Sequence, residues 1–189
     1  MYFFLTFDGA PHAPYTNRIL DVLKEHQVKA TFFVEGHRIA GQEGLLRRIL
    51  AEGHTIGNHT FSHRILTELS MEEAIEDVER CSEEIQRVTH MKPRAFRPPW
   101  GKIDVSVAEE LIKKGYIPIC WNVSVRDFLL DNNQEGVEEL VCRLVQCNKD
   151  FVVPVLHDRV DIVPKALHEA IPKLKEKNFQ FVTIEDFLP

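Results

Sequence analysis

Tyr2-Phe-Phe-Leu-Thr-Phe7, Thr16-Asn-Arg-Ile-Leu-Asp-Val-Leu-Lys24 and Lys29-Ala-Thr-Phe-Phe-Val34 follow one another along the chain, and reading these three runs decides the fold. The first and third are aromatic and β-branched, the composition of a buried strand. Between them Ile19, Leu20 and Leu23 recur at helical spacing behind Thr16, which predicts a helix with a threonine cap. Strand, helix and strand in succession make a unit whose two strands run parallel, because a helical crossover is what joins parallel neighbours.

The pattern repeats outward from this unit. Leu45, Leu46, Ile49 and Leu50 before Gly53 read as a second helix with a glycine stop, and His54-Thr-Ile-Gly57 as a third, short strand. Ser70-Met-Glu-Glu73 is a capping box opening a helix with Met71, Ile75, Val78, Ile85 and Val88 on its apolar face, ending before Pro93. Ala95-Phe96 returns to strand, and Asp104 caps a helix over Val105 to Lys114 that Gly115 closes. Tyr116 to Trp121 reads as strand, about Gln134 to Cys147 as helix and Phe151 to Leu156 as strand. A helix from Pro164 carries Leu167, Ile171 and Leu174, and Phe179 to Thr183 is the last strand. About seven strands alternating with helices, roughly 25 residues per unit, match an α/β parallel sheet and exclude a bundle or a sandwich. An open doubly wound sheet and a closed or nearly closed barrel both fit, and both place ligands at the carboxyl ends of the strands.

The chain has 189 residues, 44% hydrophobic and 28% charged, the balance of an ordinary folded protein, and no Gly-, Pro- or Ser-rich linker divides it. A single domain over residues 1–189 is expected. Lys and Arg number 23 against 29 acids, a net charge of −6 without a basic run, so nucleic acid is not an expected partner. The longest strongly apolar run, Phe151 to Leu156, is far short of the roughly 18 residues of a membrane span. Met1 enters an apolar stretch with no preceding basic segment and no following cleavage site, so a cytoplasmic location is expected for the chain as written. Cys81, Cys120, Cys142 and Cys147 form no CxxC pair and are expected to be reduced packing residues.

The strands end in polar residues: Asp8 after the first, His59 and His63 after the third, Arg97 after the fourth, Asp127 beyond the fifth and His157 after the sixth. Taken singly, each has a plain structural explanation. Asp8 could cap or turn the chain ahead of Pro11, Arg97 could belong to a Pro-rich turn, His157 could be a satisfied core histidine, and the spacing of His59 and His63 is common. A parallel sheet gathers all of them on one face, and together they are what a metal-assisted hydrolase needs: ligands, a base, an orienting cation and an acid.

Five segments in order, Leu5-Thr-Phe-Asp-Gly-Ala-Pro11, His59-Thr-Phe-Ser-His63, Arg97-Pro-Pro-Trp-Gly101, Trp121-Asn-Val-Ser-Val-Arg-Asp-Phe128 and Leu156-His-Asp158, resemble the five motifs of the NodB-type polysaccharide deacetylases, carbohydrate esterase family four. The resemblance spans nearly the whole chain and implies that family's distorted (β/α) barrel. It also implies a metal-dependent hydrolase removing acetyl groups from the N-acetylated amino sugars of a polysaccharide or related glycan. His59 and His63 would hold the metal, zinc by preference with cobalt or nickel as substitutes. Asp8, steadied by Arg97, would be the base. His157 would protonate the departing amine with Asp127 as its charge partner, and Trp100, Leu156 and Pro98 would line the substrate pocket. The products would be acetate and a free amino sugar.

The family's first motif has two aspartates, the second being the third protein ligand of the metal, and here that position is Gly9. The strand register places Thr6 and Phe7 correctly before Asp8, against a one-residue slip. Three outcomes stay open: Asp8 turns onto the metal as third ligand, water or His12 fills the gap, or no metal binds. Ser124 and Phe128 stand where the fourth motif usually has Asp and Trp, which implies altered substrate contacts. Two other readings remain beside the deacetylase, a catalytically weak carbohydrate-binding relic of the fold and an allantoinase-like hydrolase of cyclic amides.

Overall fold

The computed structural model describes residues 1–147 and 149–189. In chain order the elements begin with β1 (Tyr2–Phe3), β2 (Thr6–Ala10), α1 (Tyr15–Glu25), β3 (Thr31–Val34), α2 (Glu43–Ala51), β4 (Thr55–Asn58) and α3 (Met71–Thr89). They continue with β5 (Ala95–Phe96), α4 (Val105–Lys113), β6 (Ile117–Pro118), β7 (Val123–Ser124), α5 (Gln134–Val145), β8 (Phe151–Val152), β9 (Pro154–His157), α6 (Val163–Glu176) and β10 (Gln180–Phe181). Seven strands form one sheet in the order β6-β5-β4-β3-β2-β9-β7, and every pairing in it is parallel. The sheet curls into a half-barrel whose end strands β6 and β7 do not pair, so the barrel is distorted and open. No helix of the described residues is long and apolar enough to cross a membrane.

Alternation along the strands sorts the side chains into two layers. Phe7 and Phe32 stack at 5.0 Å on the helix side, in one cluster with Ile19, Leu20, Leu23, Ile85 and Leu156. Each fully buried aromatic or aliphatic side chain there contributes about 1.5–3 kcal/mol. Thr6, Asp8, Phe33 and His157 take the other face, the inside of the barrel. That face is where the polar residues meet.

Three strands differ from their sequence readings. Tyr2 to Phe7 and Phe151 to Leu156 each split in two, because β1 pairs β8 at Tyr2↔Phe151 whereas β2 pairs β9 at Thr6↔Val155. Both chains break at the same level, where Phe4 and Val153 turn into a small cluster with Phe33, Ala95 and Ile184. Of Tyr116 to Trp121 only Ile117–Pro118 is strand: the chain then crosses to β7 at the opposite edge of the sheet, and Asn122 N–H bonds Val153 O at 3.0 Å on arrival.

The Ser70 capping box forms as read, with Glu73 N–H on Ser70 Oγ at 3.2 Å and Ser70 N–H on Glu73 Oε2 at 2.9 Å. Thr16 is not a cap. Pro14 takes that position, and the Thr16 hydroxyl inside the first turn accepts from His12 N–H at 2.7 Å and donates to Asp158. Asp104 stands at the start of α4 but makes no capping hydrogen bond. All four cysteines are free: Cys81 is buried, Cys147 is half-buried against the core, and Cys120 and Cys142 are exposed.

Candidate active site

Asp8 is the third residue of β2 and faces the barrel interior, 4% exposed. Arg97, directly after β5, is fully buried and reaches across the sheet to it: its Nη1 donates to Asp8 Oδ1 at 2.7 Å and to Thr6 Oγ1 at 2.9 Å. Its guanidinium lies over the Phe33 ring, 4.1 Å from the centroid. Burial pushes the Asp8 carboxyl up, but Arg97 and the neighbouring His59 outweigh it and hold the group below the ordinary carboxylate range. Asp8 is therefore ionised at neutral pH, with Oδ2 left open and 3.7 Å from His59 Nε2.

His59 and His63 sit on a tight loop after β4. Thr60 and His63 both adopt the left-handed backbone region, φ 66° and 57°. Such strain is characteristic of functional loops, and neighbouring bonds maintain it. Asn58 Oδ1 accepts from Thr60 N–H at 2.8 Å, and Thr60 Oγ1 accepts from His63 N–H at 3.0 Å. Asn58 is itself anchored to Val78 O and Ser82 Oγ on α3. The two rings stand edge to face with centroids 5.0 Å apart. His59 Nδ1 bonds Arg97 O at 2.8 Å, which directs Nε2 toward Asp8. Burial lowers both imidazoles from their ordinary value, so both are neutral with a free lone pair at neutral pH.

His157 ends β9 and is the register partner of Asp8 on β2. Asp127, fully buried on a single helical turn after β7, bonds it twice: Oδ1 lies 2.8 Å from His157 Nδ1, and Oδ2 accepts from His157 N–H at 2.7 Å. Nδ1 thereby carries a proton, which leaves Nε2 as the nitrogen that exchanges one. The Phe128 ring meets His157 edge-on at 5.3 Å.

The predicted pocket residues separate. Trp100, in the left-handed region at φ 55°, is 54% exposed and sets its ring edge to face on His63 at 5.0 Å. Pro98 is buried beneath it. Leu156 is not brought to the cleft. It is fully buried in the helix-side core, because its neighbour His157 faces the barrel interior and adjacent strand residues point oppositely. Val155, two residues before His157, shares its face and pairs level with Thr6 and Ser124.

Gly9 lies in a bulge of β2 at φ 101°. A β-carbon there would stand 3.0 Å from Arg159 Nη1, 3.3 Å from Glu35 Oε1 and 3.5 Å from Asp158 Oδ1. None of these three was singled out from the sequence, although Glu35 follows the apolar strand β3 just as Asp8 ends a run of strand residues. Glu35 is 2% exposed. His12 faces the same charged neighbourhood, its Nδ1 buried without a partner and its basicity lowered by burial and Arg38. Asp158 is fully buried with Oδ1 unpartnered, and burial pushes its carboxyl up to about 7.

The donor types suit a divalent cation, two neutral imidazoles, one oriented by a backbone carbonyl, with Asp8 at 3.7 Å from His59 and Glu35 at 4.0 Å from His63, but among the described residues only Glu25, His26 and His168 bring three donor atoms within 4.8 Å of one another.

A model of the polysaccharide deacetylase family matches residues 2–119. The peptidoglycan-N-acetylmuramic acid deacetylase PdaA of Bacillus subtilis is 33% identical over 186 residues, 98% of this chain and 70% of its own length. The Listeria monocytogenes peptidoglycan-N-acetylglucosamine deacetylase PgdA is 34% identical over 182 residues, 96% of this chain and 38% of its own length. The structure of the peptidoglycan deacetylase PdaC from Bacillus subtilis superposes with a TM-score of 0.88 at 32% identity, over 98% of this chain and 88% of that one. A CE4 family pseudoenzyme from Bacillus anthracis superposes with a TM-score of 0.90 at 27% identity, over 100% of this chain and 65% of that one.

Proposed function

The chain belongs to the polysaccharide deacetylase family, and from that premise we propose that residues 1–189 form one catalytic domain that hydrolyses the acetamide of N-acetylated amino sugars in peptidoglycan or a related glycan. One observation carries the reading. Asp8 and His157 stand side by side on paired strands and project to the same face, and each is held by a buried partner of opposite character, Arg97 for the carboxylate and Asp127 for the imidazole.

A water entering between them loses its proton to Asp8 Oδ2 as its oxygen attacks the acetyl carbonyl. Arg97 keeps Asp8 charged and fixed by its other oxygen, so the base is ready without rearrangement. The carbon–nitrogen bond then breaks, and His157 Nε2 delivers the proton that the departing amine needs. Asp127 keeps the imidazole in the orientation for that transfer. A divalent cation held by His59 and His63, zinc by its preference for imidazole with cobalt or nickel as substitutes, would supply Lewis-acid polarisation of the acetamide carbonyl. Trp100 offers its exposed ring at the rim as an apolar face for the sugar. The balance is one amide and one water consumed, one acetate and one ammonium group formed, with the proton taken by Asp8 replacing the one that His157 gave up.

Gly9 favours a second reading, a silent member that binds glycan without cleaving it, as does the likeness to a protein described as a pseudoenzyme. Incubating the zinc-supplemented protein in parallel with N-acetylated glycan fragments and with a cyclic amide tests the proposal. Acetate from the glycan alone supports it, ring opening alone supports the cyclic amide hydrolase, and glycan binding without acetate supports the silent member.

A further inference from the structure

We propose that Glu35 takes the place of the missing aspartate, joining His59 and His63 as the carboxylate that holds the divalent cation; this rests on the reading of the site as cation-binding. Glu35 follows β3 directly, and its N–H bonds Ala10 O at 2.9 Å, which ties it beside the bulge of β2. Its Oε2 accepts from Arg38 Nε at 2.6 Å, so the carboxylate is held by one oxygen. Oε1 is directed at the space above Gly9 and stands 4.0 Å from His63 Nε2. Two ligand atoms on a tetrahedral zinc with bonds of about 2.0–2.1 Å lie about 3.4 Å apart. The His63–Glu35 separation exceeds that by about 0.6 Å, and the three donor atoms of His59, His63 and Glu35 are not all within 4.8 Å of one another, so the side chains must close on an entering cation.

The absence of a side chain at position 9 is what makes this possible. β2 and β3 are neighbours, paired at Asp8↔Phe33 and Ala10↔Val34. A residue larger than glycine between those pairs would put its β-carbon 3.3 Å from Glu35 Oε1. The carboxylate has moved from one strand end to the next, and the glycine leaves it room. Asp8 is bound to Arg97 and placed as the base. Asp158 is the competing carboxylate, with Oδ2 on Thr16 and Oδ1 unpartnered 3.5 Å from the same β-carbon position, and binding that weakens in Asp158→Asn but not in Glu35→Gln overturns the assignment. Arg159 Nη1 also borders the space, but Arg159 is an exposed side chain on a flexible stem and can withdraw when a cation enters.

The test is a titration of the metal-free protein with zinc by calorimetry and with cobalt(II) by visible absorption, for the wild type, Glu35→Gln, Asp158→Asn, Arg38→Gln and His59→Ala. At the surface Glu25, His26 and His168 bring three donor atoms within 4.8 Å of one another, so the titrations are run in a His168→Ala background. The expected result is one equivalent bound, lost in His59→Ala, weakened at least about tenfold in Glu35→Gln with an altered cobalt spectrum, and retained in Arg38→Gln. Wild-type affinity and spectrum in folded Glu35→Gln, with binding still lost in His59→Ala, overturn the role of Glu35 and leave the cation site standing. No binding by the wild type overturns both. If Glu35→Gln does not fold, Glu35→Asp keeps the charge with a shorter reach: weakened binding supports the assignment, and unchanged affinity and spectrum overturn it.

Discussion

Glu35 Oε1 lies 3.3 Å from the point that a β-carbon on Gly9 would occupy, so the end of one strand holds a buried carboxylate where its neighbour has no side chain. The two positions are complementary in volume and charge. The change Gly9→Asp, which rebuilds the family motif, therefore places a second carboxylate against the first in a backbone region, φ 101°, that side chains rarely adopt. Gly9→Asp alone is expected to cost about 1–3 kcal/mol in urea denaturation. Adding Glu35→Val is expected to recover part of it, a coupling that a double-mutant cycle reads directly. Purely additive effects of the two changes contradict the complementarity.

Arg97→Met removes the guanidinium bonded to Asp8 while leaving the carboxylate buried, and is expected to cost about 3–5 kcal/mol at neutral pH. The sign with pH follows from the lowered Asp8 value. A depressed carboxyl stabilises the fold fully above its ordinary range and loses that contribution as pH falls through the lowered folded value. The deficit of the variant is thus largest near pH 7 and shrinks toward about pH 4 and below. The acid limb of its kcat/KM profile moves to higher pH. Denaturation series at several pH values and a pH–rate profile check both, and a pH-independent deficit is the contrary result.

Asp127 touches no substrate and acts through His157. Asp127→Asn keeps a side chain of the same shape but no longer presents a charged acceptor to Nδ1. We expect kcat to fall about 100-fold with KM nearly unchanged, the size of one proton-transfer contribution. A change confined to KM in steady-state kinetics contradicts the positioning role.

Asp158 is a buried carboxyl raised to about 7, chiefly by burial. A raised carboxyl destabilises the fold as it ionises, so this contribution is absent well below pH 4 and grows between about pH 4 and about pH 7. Asp158→Asn is expected to gain stability relative to the wild type across that window in the metal-free protein. Parallel stability curves for the two proteins contradict it.

How much of this was legible in the sequence differs from element to element. The parallel order followed from strand and helix signals, because period-two and period-3.6 patterns survive in Tyr2 to Val34 without tertiary context. The splitting of Tyr2 to Phe7 and of Phe151 to Leu156 was not legible: it comes from which strands pair, and both runs are continuously apolar. At the site, Asp8, His59, His63, Arg97, Asp127 and His157 were found because each follows or closes a strand, and the fold gathers them on one face. Glu35 obeys the same rule after Val34, but a lone glutamate at a strand end is indistinguishable from a solvated one until Gly9 is placed beside it. Leu156 was misplaced by one position of strand alternation, which changes the face of the sheet.

The most direct measurement is simultaneous quantification of acetate and free amine after the zinc-supplemented protein meets N-acetylated peptidoglycan fragments, with Asp8→Asn as the matched control. The deacetylase account predicts equimolar acetate and amine from the wild type and at least about a 100-fold loss of both in Asp8→Asn. Fragments that bind the wild type without releasing either product contradict it and make the chain a silent member of its family.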